Sequence, residues 1–148
     1  MIIKTPLKLI TPQRIIILLM FSLFYSGTLL AELVDIDNTE LQTLLNQKTL
    51  IIDVRRAEEW SATGVIKSSQ LLTFFDKEGN VDTEKWHADI SQVSDKTTPV
   101  IVICRSGERS KKVGDWMLTT LGYETVYNVT GGIVGWKGSD GETVKPGE

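Results

Sequence analysis

Cysteine occurs once in the 148 residues, at position 104, and histidine once, at position 87. One thiol cannot close an intramolecular disulfide, so no disulfide framework holds this fold, and Cys104 is either free or bonded to another molecule. No His, Cys or paired acid stands at ligand spacing around Asp53, the acid that ends an apolar run, so the pattern offers no metal site. No basic patch stands out, and the chain carries a net charge of −3, a balance that excludes nucleic acid as the expected partner. Internal repeats and low-complexity linkers are also missing.

Acidic residues are absent before Glu32, while Lys4, Lys8 and Arg14 precede the apolar stretch "IIILLMFSLFY" at residues 15–25. Positive charge followed by a short apolar block is the profile of a secretory signal. Cleavage after Ala31 is the expectation, although Leu29 is bulky for its place. An uncleaved membrane anchor is the alternative, since the run to Ala31 approaches the roughly 20 residues of a span but is interrupted by Ser22, Ser26, Gly27 and Thr28. The expected layout is a signal over residues 1–31, one domain over 32–138 and a polar tail over 139–148. Loss of the first 31 residues takes three basic residues and no acid, moving the net charge from −3 to −6. The remainder is the size of one compact domain with a real core. The expected location is the periplasm, or otherwise outside the cytoplasm.

Strand and helix signals then alternate. "ELVDI" reads as a strand, and "DNTELQTLLNQ" as a helix with Asp37 and Glu40 in capping-box spacing and Leu41, Leu44 and Leu45 on one face. "TLIIDV" is an apolar run, "RRAEEWSAT" a short helix stopped by Gly64, "SSQLLTF" a strand and "DKEGN" a turn. "VDTEKWHADISQVS" carries an apolar stripe at Trp86, Ile90 and Val93. "TPVIVIC" is apolar and β-branched on both parities, as a strand covered on both faces requires. A helix over residues 110–121 follows, with Val113, Trp116, Met117 and Leu121 facing inward and Gly122 at its end. "ETVYNV" is the next strand, "TGGIVGW" a tight turn and short helix, and the remaining tail is polar and expected to fray. This order implies an α/β fold with a largely parallel sheet.

In such folds ligands bind beyond the carboxyl ends of the strands, and "CRSGERS", residues 104–110, starts at that edge. Ser106 and Gly107 let the backbone curl so that successive N–H groups converge, and the following helix N-terminus adds positive potential. That environment favours an anion, and a thiolate is one. Arg105 and Arg109 add positive charge and Glu108 subtracts some. A lone cysteine is otherwise a small packing hydrophobe, and "RSGER" otherwise a solvated loop. The strand before, the glycine within and the helix after favour an activated thiol at a water-accessible edge.

"CRSGERS" resembles the active-site loop of rhodanese-like sulfurtransferases. "LIIDVRRAEEWSATGVI" is similar to that family's Asp-x-Arg stretch followed by Glu, an aromatic residue and Gly-x-Ile, and "VYNVTGGIVGW" to its Gly-Gly-x-x-x-Trp ending. The matches follow the family's order and span residues 33–136. The resemblance implies a three-layer α/β domain with a central five-stranded parallel sheet flanked by helices. It implies that Cys104 is the nucleophile and carries sulfur as a persulfide, with the amides of Arg105, Ser106, Gly107, Glu108 and Arg109 around the sulfur and the departing anion. Asp53 and Arg55 match positions whose family role is supporting. The implied partners are a small sulfur-containing anion as donor and a thiol or cyanide as acceptor, with no metal or other cofactor. One departure stands out: where the family usually shows Gly-His-Ile-Pro-Gly-Ala this chain has "GVIKSS", with Val65 in place of the histidine, a packing position.

Two other functions compete. Cysteine-dependent phosphatases and arsenate reductases need five residues between Cys and Arg, whereas Arg109 follows Cys104 after four. A non-catalytic exported module that binds an anion or a partner would have no use for a thiolate site. The remaining polar and aromatic candidates read as structural: His87 as a surface or partly packed residue, Trp60, Trp86, Trp116 and Trp136 mostly as core. Lys111 and Lys112 are either solvated or a lure for anionic donors.

Overall fold

The computed structural model describes residues 31–148, so the segment read as a signal lies outside the described residues except for Ala31. Chain order is β1 (Glu32–Ile36), α1 (Asn38–Asn46), β2 (Leu50–Asp53), α2 (Ala57–Thr63), β3 (Gln70–Leu71), α3 (Thr83–Ile90), β4 (Val100–Ile103), α4 (Glu108–Trp116), a π-helical turn (Met117–Leu121), β5 (Thr125–Val129) and α5 (Gly132–Gly138). All strand pairs are parallel and the sheet order is β1-β5-β4-β2-β3. The expected five-stranded α/β architecture is therefore present.

Strand β4 explains why helices lie on both faces. Val100, Ile101, Val102 and Ile103 are all fully buried, and alternate side chains enter two separate cores. Val100 and Val102 pack with Ile52, Val126, Trp86 and Ile90 of α3, and Val113 of α4. Ile101 and Ile103 pack with Ile51, Val129, Leu41 of α1, and Ile133 and Trp136 of α5. Each such aliphatic side chain contributes about 1.5–3 kcal/mol by leaving water. Phe74, Trp86 and Trp116 add edge-to-face contacts with centroids 5.2–5.6 Å apart.

Local signals shape the elements. The Asp37 carboxylate accepts from the Thr39 and Glu40 amides while Glu40 returns a bond to the Asp37 amide, so the capping box is complete. Helix α4 starts at Glu108, two residues earlier than the pattern suggested, and its last turn is π-helical, closed by the Gly122 N–H on the Met117 carbonyl.

Three readings are corrected. "SSQLLTF" contributes only a two-residue strand. Val93 is 39 % exposed because α3 ends at Ile90 and the chain turns before a further face can form. The tail docks instead of fraying: Val65 and Val144 exchange backbone bonds of 2.9 and 2.8 Å, and the Trp136 indole N–H donates to the Glu142 carbonyl at 2.9 Å. Val65, buried as a packing residue, thus has the tail as its neighbour. Deleting residues 142–148 removes these three bonds and strips partners from two donors. Urea denaturation should show a loss of about 2–4 kcal/mol, at about 1 kcal/mol or a little more per bond, where a frayed tail would leave the midpoint unmoved.

Candidate active site

The sheet brings the three sequence motifs to one edge. Strands β2, β4 and β5 are neighbours, and their carboxyl ends lead respectively into "DVRR", "CRSGERS" and "VTGG". The Val54 N–H donates to the Ile103 carbonyl at 3.0 Å and the Thr130 N–H to the Ile36 carbonyl at 3.1 Å, extending the ladder to the loops.

The 105–107 loop is docked onto the turn after β5. The Cys104 and Arg105 carbonyls accept from the Ile133 and Val134 amides of α5, at 2.9 and 3.1 Å. Gly107 has φ +95°, and a Cβ there would stand 2.2 Å from the Thr130 carbonyl oxygen; Gly132 has φ +54°, and its Cβ would stand 2.5 Å from the Arg105 carbonyl. Only glycine fits this two-sided contact. The left-handed turn at Gly107 folds the chain back, so its own N–H donates to Cys104 Sγ at 3.2 Å. Ser110 Oγ, in the first turn of α4, lies 3.3 Å from the same sulfur.

Cys104 is 1 % exposed. The water-accessible thiol expected from the sequence is therefore not what the fold presents. Because the loop turns back onto α5, Arg105 and Ser106 take the solvent and the sulfur lies on the inner side, in the same core cluster as Val54, Val102 and Val113. It is nonetheless not surrounded by hydrocarbon alone, since a peptide N–H and a hydroxyl both meet it. Glu108 is exposed at the start of α4, and Gly107 is buried.

The cations divide between two jobs. Arg55 and Asp53 form a fully buried pair, with Arg55 Nε 2.9 and 3.0 Å from the two carboxylate oxygens and Nη2 2.6 Å from Oδ2. The guanidinium also donates to Thr63 Oγ1 at 2.6 Å and the Gly64 carbonyl at 2.8 Å, so the pair joins the end of β2 to the end of α2. Arg109 turns to α2: its two terminal nitrogens meet the Glu59 carboxylate at 2.9 and 2.6 Å. This bidentate bond, with burial opposing it, holds the Glu59 carboxyl down to about 2 and raises Arg109 above its ordinary value. Lys111 pairs with Asp35 at 3.1 Å, Lys112 is exposed, and so is His87.

Sequence reasoning missed Glu59, Ser110 and Thr130 as parts of the site. Glu59 stood inside the quoted "RRAEEW" stretch, but nothing local indicates that its partner lies fifty positions on. Ser110 closes the "CRSGERS" segment and opens the helix, but nothing in the local pattern gives its hydroxyl the sulfur as a partner.

A family model described as the rhodanese-like domain matches residues 37–139. The chain belongs to the rhodanese-like domain family. It is 28 % identical over 116 residues to thiosulfate sulfurtransferase 18 of Arabidopsis thaliana, covering 75 % of this chain and 83 % of that protein. Over 42 residues it is 48 % identical to the thiosulfate sulfurtransferase GlpE of Tolumonas auensis, 28 % of this chain and 39 % of that one. The crystal structure of a rhodanese-like domain protein from Staphylococcus aureus superimposes with a TM-score of 0.54 at 25 % identity, covering 77 % of this chain and 94 % of that one.

Two outcomes follow from the ion pairs. Arg55→Ala leaves the Asp53 carboxylate buried without its partner, and chemical denaturation should show a loss of about 3–5 kcal/mol. The Glu59 carboxyl is depressed in the fold, so its contribution is full above its usual value near 4.5 and lost as pH falls towards about 2. Glu59→Gln should cost about 1–2 kcal/mol at pH 7, and the difference from the native chain should shrink across that acidic window in pH-resolved thermal unfolding.

Proposed function

We propose that this protein is a thiosulfate-type sulfurtransferase that moves sulfane sulfur through a persulfide on Cys104 to a thiol or cyanide acceptor. The observation that carries this reading is the Gly107 N–H donated to Cys104 Sγ by a loop that only glycine can build. In the first half-reaction the Cys104 thiolate attacks the outer sulfur of thiosulfate. The sulfur–sulfur bond of the donor breaks and sulfite leaves with the electron pair. In the second, the acceptor attacks the outer sulfur of the persulfide, and Cys104 departs as thiolate. This is a two-step covalent cycle with a ping-pong kinetic signature. It needs no general base once the thiol is ionised, which leaves His87, exposed on α3, without a chemical task.

Donor binding falls to the loop amides and to the exposed charges of Arg105 and Lys112, because Arg109 is engaged with Glu59. The same engagement argues against the phosphatase and arsenate reductase readings, whose oxyanion cradle needs an arginine turned inward. The burial of Cys104 favours a small donor, or one admitted by movement of the exposed 105–106 segment. We further propose that residues 1–31 direct the chain out of the cytoplasm, on the strength of the positive charge set before an apolar block.

The deciding measurement is intact mass after exposure to thiosulfate. Native protein should gain one sulfur atom, Cys104→Ser none, and cyanide or a thiol should remove it. A native chain that gains nothing, or a Cys104→Ser chain that gains as much, would leave the non-catalytic binding module as the better reading. N-terminal mass analysis of protein recovered from fractionated cells tests the export proposal: a chain beginning near Glu32 outside the cytoplasm supports it, and an intact one inside overturns it.

A further inference from the structure

Ser110 is fully buried, and its single hydroxyl hydrogen has three acceptors in reach: Asn128 Oδ1 at 2.6 Å, the Gly107 carbonyl at 3.0 Å and Cys104 Sγ at 3.3 Å. The sheet register explains how Asn128 comes to be there. Asn128 pairs with Val102 on one side and Asp35 on the other, on the face that packs against α4. Its Nδ2 donates to Asp35 Oδ1 at 2.7 Å, which fixes the amide so that Oδ1 faces Ser110. Asp35 Oδ2 accepts from Lys111 at 3.1 Å, and these two bonds hold the Asp35 carboxyl below the ordinary range. A continuous chain of polar contacts therefore runs from the surface lysine to the buried sulfur.

We propose that Ser110 is a positioning residue for Cys104, holding the sulfur through its hydroxyl and itself held in place by Asn128 and Asp35. The site is closed to water at both inner members, since Asn128 is only 2 % exposed. With a neutral thiol, the hydroxyl hydrogen goes to Asn128 and the S–H points to the serine oxygen. When the sulfur becomes anionic it offers the stronger acceptor, because hydrogen bonds to an ion are about twice as strong as neutral ones. The hydroxyl hydrogen then turns to the sulfur, and the 2.6 Å contact between Ser110 Oγ and Asn128 Oδ1, which needs a hydrogen between the two oxygens, lengthens by a small rotation of the serine side chain. Ser110 and the Gly107 N–H together give the anion two donors on fixed backbone. The competing view is that the serine only ties its own helix to the Gly107 carbonyl three residues back, a local bond with no bearing on sulfur. The use of this arrangement in sulfur transfer rests on the function proposed above; the arrangement itself does not.

The test measures the second-order rate of Cys104 alkylation by iodoacetamide at neutral pH, in the full chain, beside the thermal midpoint. Ser110→Ala should slow alkylation about tenfold, the loss of one charge-assisted bond, and Ser110→Thr, which keeps the hydroxyl, should recover most of the rate. Asp35→Ala, made at the half-exposed end of the chain, takes one acceptor from the Asn128 amide and should slow it by a smaller factor. Alkylation in Ser110→Ala that is as fast as in the native chain, or faster, overturns the proposal, whatever happens to the thermal midpoint. Should that variant not fold, an unchanged rate in Asp35→Ala overturns it. These rates report on the sulfur whether or not thiosulfate is a donor, so a native chain that alkylates as expected but takes up no sulfur sinks the proposed function alone.

Discussion

The site depends on how closely the loop after β4 meets the turn after β5. Backbone meets backbone there, with no room for a side chain at Gly107 or Gly132. Two α5 amides are anchored on loop carbonyls. This contact decides the direction of the Gly107 N–H, and thereby whether the sulfur faces a donor or a void. It also determines burial: the same fold-back that aims the amide puts the sulfur inside and leaves Arg105 and Ser106 in water. Donor aim and solvent exclusion are thus one geometric fact, and an amide that water cannot reach acts more strongly on an anion than the same amide in solvent.

Charge around the loop is arranged to hold the scaffold as much as to attract a ligand. The Asp53–Arg55 pair is fully buried and almost fully hydrogen-bonded, the condition under which such a pair can be tolerated. Its effect is to orient the strand end and the α2 terminus beside the loop. Arg109 and Glu59 form a second tie, partly exposed, between α2 and α4. Both ties run to the short α2, which contributes no fully buried residue of its own. A helix without a core face is held by its polar ends, which is why the Asp-x-Arg segment matters to a cysteine in the loop after another strand.

Much of the fold was legible because its causes are local. Alternation of apolar strands with amphipathic helices, the Asp37–Glu40 capping pair and the doubly apolar β4 each depend on a few neighbouring residues, and each appears in the structure. The readings that needed correction depend on distant partners. Val93 continues a helical stripe by spacing, but the helix has already ended. The tail is polar and looks loose, yet its backbone finds Val65 and its Glu142 carbonyl finds Trp136. The thiol belongs to a loop that reads as exposed, and the turn after β5 docks onto that loop through the Ile133 and Val134 amides.

The amino-acid sequence by itself determined the class of fold, the place of the lone thiol at the end of a central parallel strand, and the glycine that lets the chain curl behind it, because hydrophobic period and backbone freedom are properties of short segments. Tertiary structure alone decided which groups touch the sulfur, that Arg109 serves Glu59, and that Ser110, Asn128, Asp35 and Lys111 form one chain of contacts. Those outcomes follow from strand register and loop docking, which bring together residues as far apart as positions 35 and 128, and no local pattern encodes a distance across a sheet.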